Sequence, residues 1–157
     1  MKIIFTFSDD YFIDEARHKV MSLFTEYDYM AGFNTQEGSL IESTMGRLAR
    51  LEGSSLDSGV NIGVTNIFLN EYFQSYFPLS YQSKKEDIMR WFFEGITLGE
   101  KGNPEAARAV MDVYADLLFG SPTLTLLDAH SAQDGGNTYM YIFNYATEAS
   151  RESSPPW

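Results

Sequence analysis

Apolar positions in this chain fall into two short, nearly continuous runs with a long stretch of helical spacing between them. The first run, Tyr27 to Phe33, reads Tyr-Asp-Tyr-Met-Ala-Gly-Phe. Its length and its β-formers predict a buried strand rather than a helix. It stops at Asn34-Thr35-Gln36-Glu37-Gly38, a turn-forming cluster. The second run, Thr138 to Tyr145, reads Thr-Tyr-Met-Tyr-Ile-Phe-Asn-Tyr and is the strongest strand signal in the chain.

The interval between the runs is helical in character. Met45 to Leu51 allows a turn or two, whereas Gly53-Ser54-Ser55 and Ser58-Gly59 read as loop. Thr65-Asn66 precedes Ile67, Phe68, Tyr72, Phe73 and Tyr76, which predicts a helix stopped by Pro78. Ser83, with Glu86 three residues on, matches a capping box and opens a helix bearing Ile88, Met89, Trp91 and Phe92. Asn103-Pro104 starts the clearest helix, with a cap followed by proline at the first position. Ala107, Val110, Met111, Tyr114, Leu117 and Leu118 form its apolar stripe. Gly120-Ser121-Pro122 is expected to break it and Pro122 to restart a helix through His130, ended by Gly135-Gly136. Ahead of the first run, Asp14 to Phe24 also has helical spacing. The opening Lys2 to Phe7 reads as a strand or a ragged start. Its apolar stretch is short and interrupted by Thr6, and Asp9 and Asp10 stand where a signal peptide needs small residues. The order is strand, helical excursion, strand. Two strands alone make a poor sheet, so this pattern predicts an α/β chain with an incomplete central sheet, part of something larger.

Composition narrows the function. The hydrophobic fraction of 44 % is ordinary for a globular protein and excludes disorder throughout. A length of 157 residues permits one domain with a single core. The net charge of -11 argues against nucleic acid and against anionic membrane surfaces, both of which need clustered Lys and Arg. There is no cysteine, hence neither disulfide nor thiolate metal site. No apolar run approaches the roughly 20 residues of a spanning helix. The two histidines, His18 and His130, lie on separate expected helices without partners at ligand spacing, so no metal or cofactor is expected. The sequence holds no Gly-x-Ser-x-Gly elbow, P-loop or dinucleotide fingerprint.

One candidate remains, and it comes from a family likeness. The segment Asp28 to Gly38, in which a strand leads into Gly32-x-Asn34-x-x-Glu37-Gly38, resembles the acid-bearing loop of the type-B carboxylesterase and cholinesterase family. Asp116 to Thr123, His130, Gly135-Gly136 and Thr138 to Tyr145 resemble that family's last core helix and strand, in order and at suitable spacing. The likeness covers roughly Tyr11 to Trp157. Within the family, the aromatic-rich turn and the ending Pro155-Pro156-Trp157 are most similar to bile-salt-activated lipases. Glu42 to Lys101 matches only in its helical character.

The resemblance implies residues 1–157 as the C-terminal portion of one α/β-hydrolase domain, a partial fold with a large helical excursion. It implies a serine carboxylic-ester hydrolase, with Glu37 as the triad acid, an ester or lipid substrate, and a secreted or lumenal location. The chain order of such a triad is Ser, acid, His. The serine is therefore expected upstream of Met1 and the histidine a few residues beyond Trp157, leaving this segment inactive alone. His130 and the Trp91, Phe92, Phe93 group read as helix packing, and His18 as an exposed helix residue. Gly32 and Gly38 are expected to permit the tight turn at the strand end. The alternative is a non-catalytic relative that serves as an adhesion or partner-binding module, for which an acid at position 37 is dispensable.

Overall fold

The structure is a computed structural model that describes residues 24, 26–72 and 81–145. In chain order its elements are β1 (Tyr29–Asn34), α1 (Glu42–Leu51), α2 (Ile62–Ile67), α3 (Tyr81–Phe92), α4 (Pro104–Ala115), α5 (Ser121–Ser131) and β2 (Thr138–Phe143). Tight 3-10 turns lie at Glu37–Ile41 and Leu56–Ser58, and wide π turns at Phe68–Tyr72 and Asp116–Gly120. The expected opening strand, most of the expected helix Asp14 to Phe24, His18, the stretch around Pro78 and the polar tail fall outside the described residues. The chain divides into two compact units: Met1–Thr35 with Leu117–Asn144, and Gln36–Asp116 with Tyr145–Trp157.

In the first unit the two expected strands pair side by side and parallel, from Tyr29 opposite Thr138 to Asn34 opposite Phe143. β1 starts two residues later than expected because Asp28 is occupied otherwise. Its carboxylate accepts from the Asn137 backbone N–H at 2.7 Å and from the Asn137 side-chain amide at 3.1 Å. β2 ends at Phe143, short of Tyr145. Helix α5 packs on both strands, with Leu127 and His130 buried three residues apart on one face. On β2, five consecutive large side chains from Tyr139 to Phe143 are each 44–55 % exposed. Successive side chains point to opposite faces, so among the described residues neither face of β2 is covered as parallel strands ordinarily are.

The second unit holds an ordinary apolar core. Met45 and Ala49 of α1, Val60, Val64 of α2, Phe68 and Leu69, and Val110 and Val113 of α4 are all buried. Each large apolar side chain of this kind contributes about 1.5–3 kcal/mol when fully buried. Phe68 meets Tyr114 edge to face at 5.6 Å. Helix α4 begins where expected: the Asn103 side-chain oxygen accepts from the Glu105 N–H at 2.8 Å, with Pro104 next to it. Asn103 also exchanges two backbone hydrogen bonds with Val60.

Three expectations are corrected. The helix expected after Thr65-Asn66 starts earlier, at Ile62, because Asn61 caps it by accepting from the Val64 N–H at 2.9 Å. Thr65 lies inside the helix, buried, its hydroxyl donating to the Asn61 carbonyl at 2.9 Å. Ser83 is not an N-cap, since α3 is already helical at Tyr81. Gly120-Ser121-Pro122 does not interrupt the chain with a loop, because the π turn Asp116–Gly120 runs directly into α5. Pro122 lacks the N–H that would bond the carbonyl four residues back, and a widened turn absorbs that loss.

Asp112 of α4 and Asp116, the first residue of the π turn after it, stand one turn apart. Burial holds both carboxyls above the ordinary value of 3.8; the Asp116 charge adds to the rise at Asp112, while Arg108 opposes it. The folded state thus holds these protons more tightly than the unfolded chain. The penalty is fully present at neutral pH and fades as pH falls through the raised range to below 3.8. Asp112→Asn should therefore raise the unfolding midpoint at pH 7, by removing a charge that burial and then the nearby Asp116 disfavour, the like-charge part being worth about 0.2–0.5 kcal/mol. The gain should vanish in urea melts run below the ordinary carboxylate value, and an equal gain at both pH values would contradict this account.

Candidate functional site

Glu37 is the first residue of the 3-10 turn Glu37–Ile41, three residues after the end of β1. The turn is held by the Ser39 N–H donating to the Gln36 carbonyl at 3.0 Å. Glu37 is half-buried and its neighbour Gly38 is buried. A methyl group at Gly38 would stand 2.0 Å from the Met111 carbonyl oxygen of α4. This absence of a side chain lets the turn lie directly on the helix backbone, and so fixes where the Glu37 backbone sits on α4.

The two glycines of the loop act differently from expectation. Among the described residues, positive φ occurs only at Gly53, Gly59 and Gly95. Gly32 and Gly38 are thus not required for a left-handed turn. Both are required for close approach, since a Cβ at Gly32 would stand 2.0 Å from the Tyr141 carbonyl oxygen of the paired strand.

The carboxyl ends of the strands are tied together within the first unit. The Thr35 N–H donates to the Phe143 carbonyl at 3.1 Å, and the Thr35 hydroxyl donates to the Asn144 side-chain oxygen at 3.2 Å. The residues that precede the Glu37 turn are therefore level with the residues that follow β2. Ligands of open α/β sheets bind at this end of the strands.

His130 belongs to the other end. It is 1 % exposed, with its Nδ1 2.6 Å from the Thr138 hydroxyl and its Nε2 3.0 Å from the Tyr27 carbonyl. The Phe24 and Tyr29 rings stand against it at 4.9 and 5.3 Å. Both ring nitrogens are engaged, which is the packed helical role expected of it and leaves no nitrogen free for proton transfer. Of the aromatic group at the end of α3, Phe92 is half-buried and Phe93, one residue past the helix, is buried, but Trp91 is 79 % exposed and does not pack as expected. Among the described residues no group of three His, Asp or Glu could hold a metal ion. No described helix is long and apolar enough to cross a membrane.

Sequence reasoning missed the polar set at the amino ends of the strands: the Tyr27 carbonyl, Asp28, Asn137 and Thr138. A backbone carbonyl carries no sequence signal. The pairing of Asp28 with Asn137, 109 positions apart, needs the strand register to be known first.

Compared with known proteins, the chain matches the family model described as Carboxylesterase family over residues 3–157. No curated protein and no solved structure gives a significant match.

The packing of Gly38 on α4 is testable by contrast with Gly46 of α1, where an added methyl would make an ordinary 3.5 Å contact with Leu56. Gly38→Ala should cost about 1–3 kcal/mol through overpacking against backbone. Gly46→Ala should be neutral or stabilising by up to about 1 kcal/mol from helix propensity. Thermal melts that rank the two the other way would contradict the close approach.

Proposed function

This chain belongs to the carboxylesterase family, and we propose that within it the chain is the acid-bearing segment of a serine carboxylic-ester hydrolase. The family's fold is the α/β hydrolase, and the parallel strand pair with its helical excursion accords with part of that fold. The observation that carries the reading is the placement of Glu37: a carboxylate at the first turn after the carboxyl end of a parallel strand, its backbone seated on α4 through Gly38. In such a triad the carboxylate accepts from a histidine ring N–H, holds the imidazole in the right tautomer, and stabilises the imidazolium formed when the serine attacks the ester carbonyl. Glu37 fills that role here.

These 157 residues hold no Gly-x-Ser-x-Gly elbow, and the one histidine that follows Glu37 in the chain, His130, has both ring nitrogens engaged. The nucleophile and base then come from sequence outside them, in a longer, secreted or lumenal polypeptide. The exposed side chains of β2 support this, since among the described residues mainly β1 and α5 lie against a strand of a kind ordinarily covered on both faces. The likeness of the aromatic turn and the Pro155-Pro156-Trp157 ending to bile-salt-activated lipases favours lipid esters within the ester class.

The test is Glu37→Gln in the intact polypeptide that carries this segment. A neutral amide in place of the triad carboxylate should lower kcat for a short-chain nitrophenyl ester on the order of 10⁴-fold. The unfolding midpoint should change little, because a half-buried residue is replaced by its near isostere. Turnover that survives the change would remove Glu37 from the triad. An intact polypeptide with no ester turnover at all would favour the partner-binding alternative.

A further inference from the structure

The amino ends of the two strands are held by a residue that the proposed chemistry does not use. His130 of α5 bonds the Tyr27 carbonyl two residues before β1 and the hydroxyl of Thr138, the first residue of β2. A carbonyl oxygen only accepts, so Nε2 carries the ring hydrogen; in the neutral ring Nδ1 then accepts from the Thr138 hydroxyl. The two ends are further joined by the Tyr29 N–H donating to the Asn137 carbonyl at 2.8 Å and by the Asp28–Asn137 bonds. A phenylalanine would fill the space beside Phe24 and Tyr29 equally well, yet it would take away the partner of a part-buried carbonyl and of a part-buried hydroxyl.

We propose that His130 is a positioning residue that sets the parallel register of β1 and β2 and thereby the level of the loops at the far end of the pair. The register needs such a device. Neither strand has a clean alternation of polar and apolar residues to resist slippage, since β2 is apolar or aromatic on both faces. A slip of one residue would move Thr35 about 3.3 Å along the sheet and break its bonds to Phe143 and Asn144. It would also force a side chain against Gly32's neighbour, where there is no room. The bearing of this register on the Glu37 turn, two residues beyond Thr35, rests on the esterase reading; the register role itself does not.

Amide hydrogen exchange of the full chain tests it, read at both ends of the ladder: Tyr29 and Thr35, with the α4 amides as control. His130→Phe and Thr138→Val should each speed exchange at Tyr29 and at Thr35 roughly 10-fold, the loss of a part-buried hydrogen bond, without comparable change in α4. Thr138→Ser, which keeps the hydroxyl, should restore slow exchange, and His130→Phe with Thr138→Val should be no worse than His130→Phe alone. Unchanged exchange at Thr35, an equal loss in α4, failure of the serine to rescue, or an unaltered chain in which neither Tyr29 nor Thr35 is protected would each overturn the proposal. Ester turnover of Glu37→Gln in the intact polypeptide separates the two ideas. If turnover is unaffected while the exchange pattern holds, the register role stands and the triad assignment falls.

Discussion

Parallel pairing of β1 with β2 is the constraint on which this structure depends. Antiparallel strands can be joined by a two-residue turn, but parallel strands need a crossover that carries the chain back to the starting edge. Here everything from the Glu37 turn to the end of α5 serves as that connection, and it has grown well beyond the single helix that would suffice. Because the strands run in the same direction, both loops that leave their carboxyl ends emerge on the same side. Thr35 after one strand and Asn144 after the other are neighbours for that reason. An antiparallel arrangement of the same two segments would have put them at opposite ends of the sheet.

Much of this was legible in the sequence, for physical reasons that differ between elements. The two strands stood out because each is a short run rich in aromatic residues and bounded by turn formers. Helix α4 was clear because Asn103 and Pro104 declare its start by local chemistry alone. Where two caps competed the reading failed: Asn61 lies in a stretch with no apolar period to announce a helix, so Thr65 and Asn66 looked like the better start. The π turn at Asp116–Gly120 was hidden for another reason. Gly-Ser-Pro is a breaking signal, and sequence cannot distinguish a chain that leaves the helix from one that widens by one residue and continues.

The candidate residue rests on a family likeness, and the packing around it needed coordinates. Glu37 is proposed from a loop pattern that resembles a family whose model matches residues 3–157. The reason for its flanking glycines was misread. Tight turns and close approaches both call for glycine, but only coordinates separate a backbone angle from a crowded neighbour such as the Met111 carbonyl. His130 shows the complementary case. Its helical surroundings identified a packed residue, but its two bonding partners lie at the starts of two strands, one near in sequence and one 103 positions away.

The span between the strands has a consequence during synthesis. Asp28 and Asn137 are 109 positions apart, so at ordinary rates of elongation β2 is made roughly 5–20 s after β1. Throughout that interval the edge that β2 will cover has no native partner from this chain, while the apolar core of Met45, Val64, Phe68 and Val110 can already assemble around α4. The intervening helices are in this sense the early-folding part of the molecule, and the sheet is its late closure. A newly made chain is most exposed to strand-mediated aggregation just before Thr138 to Phe143 emerges, and a chaperone that shields β1 would be of most use in those seconds.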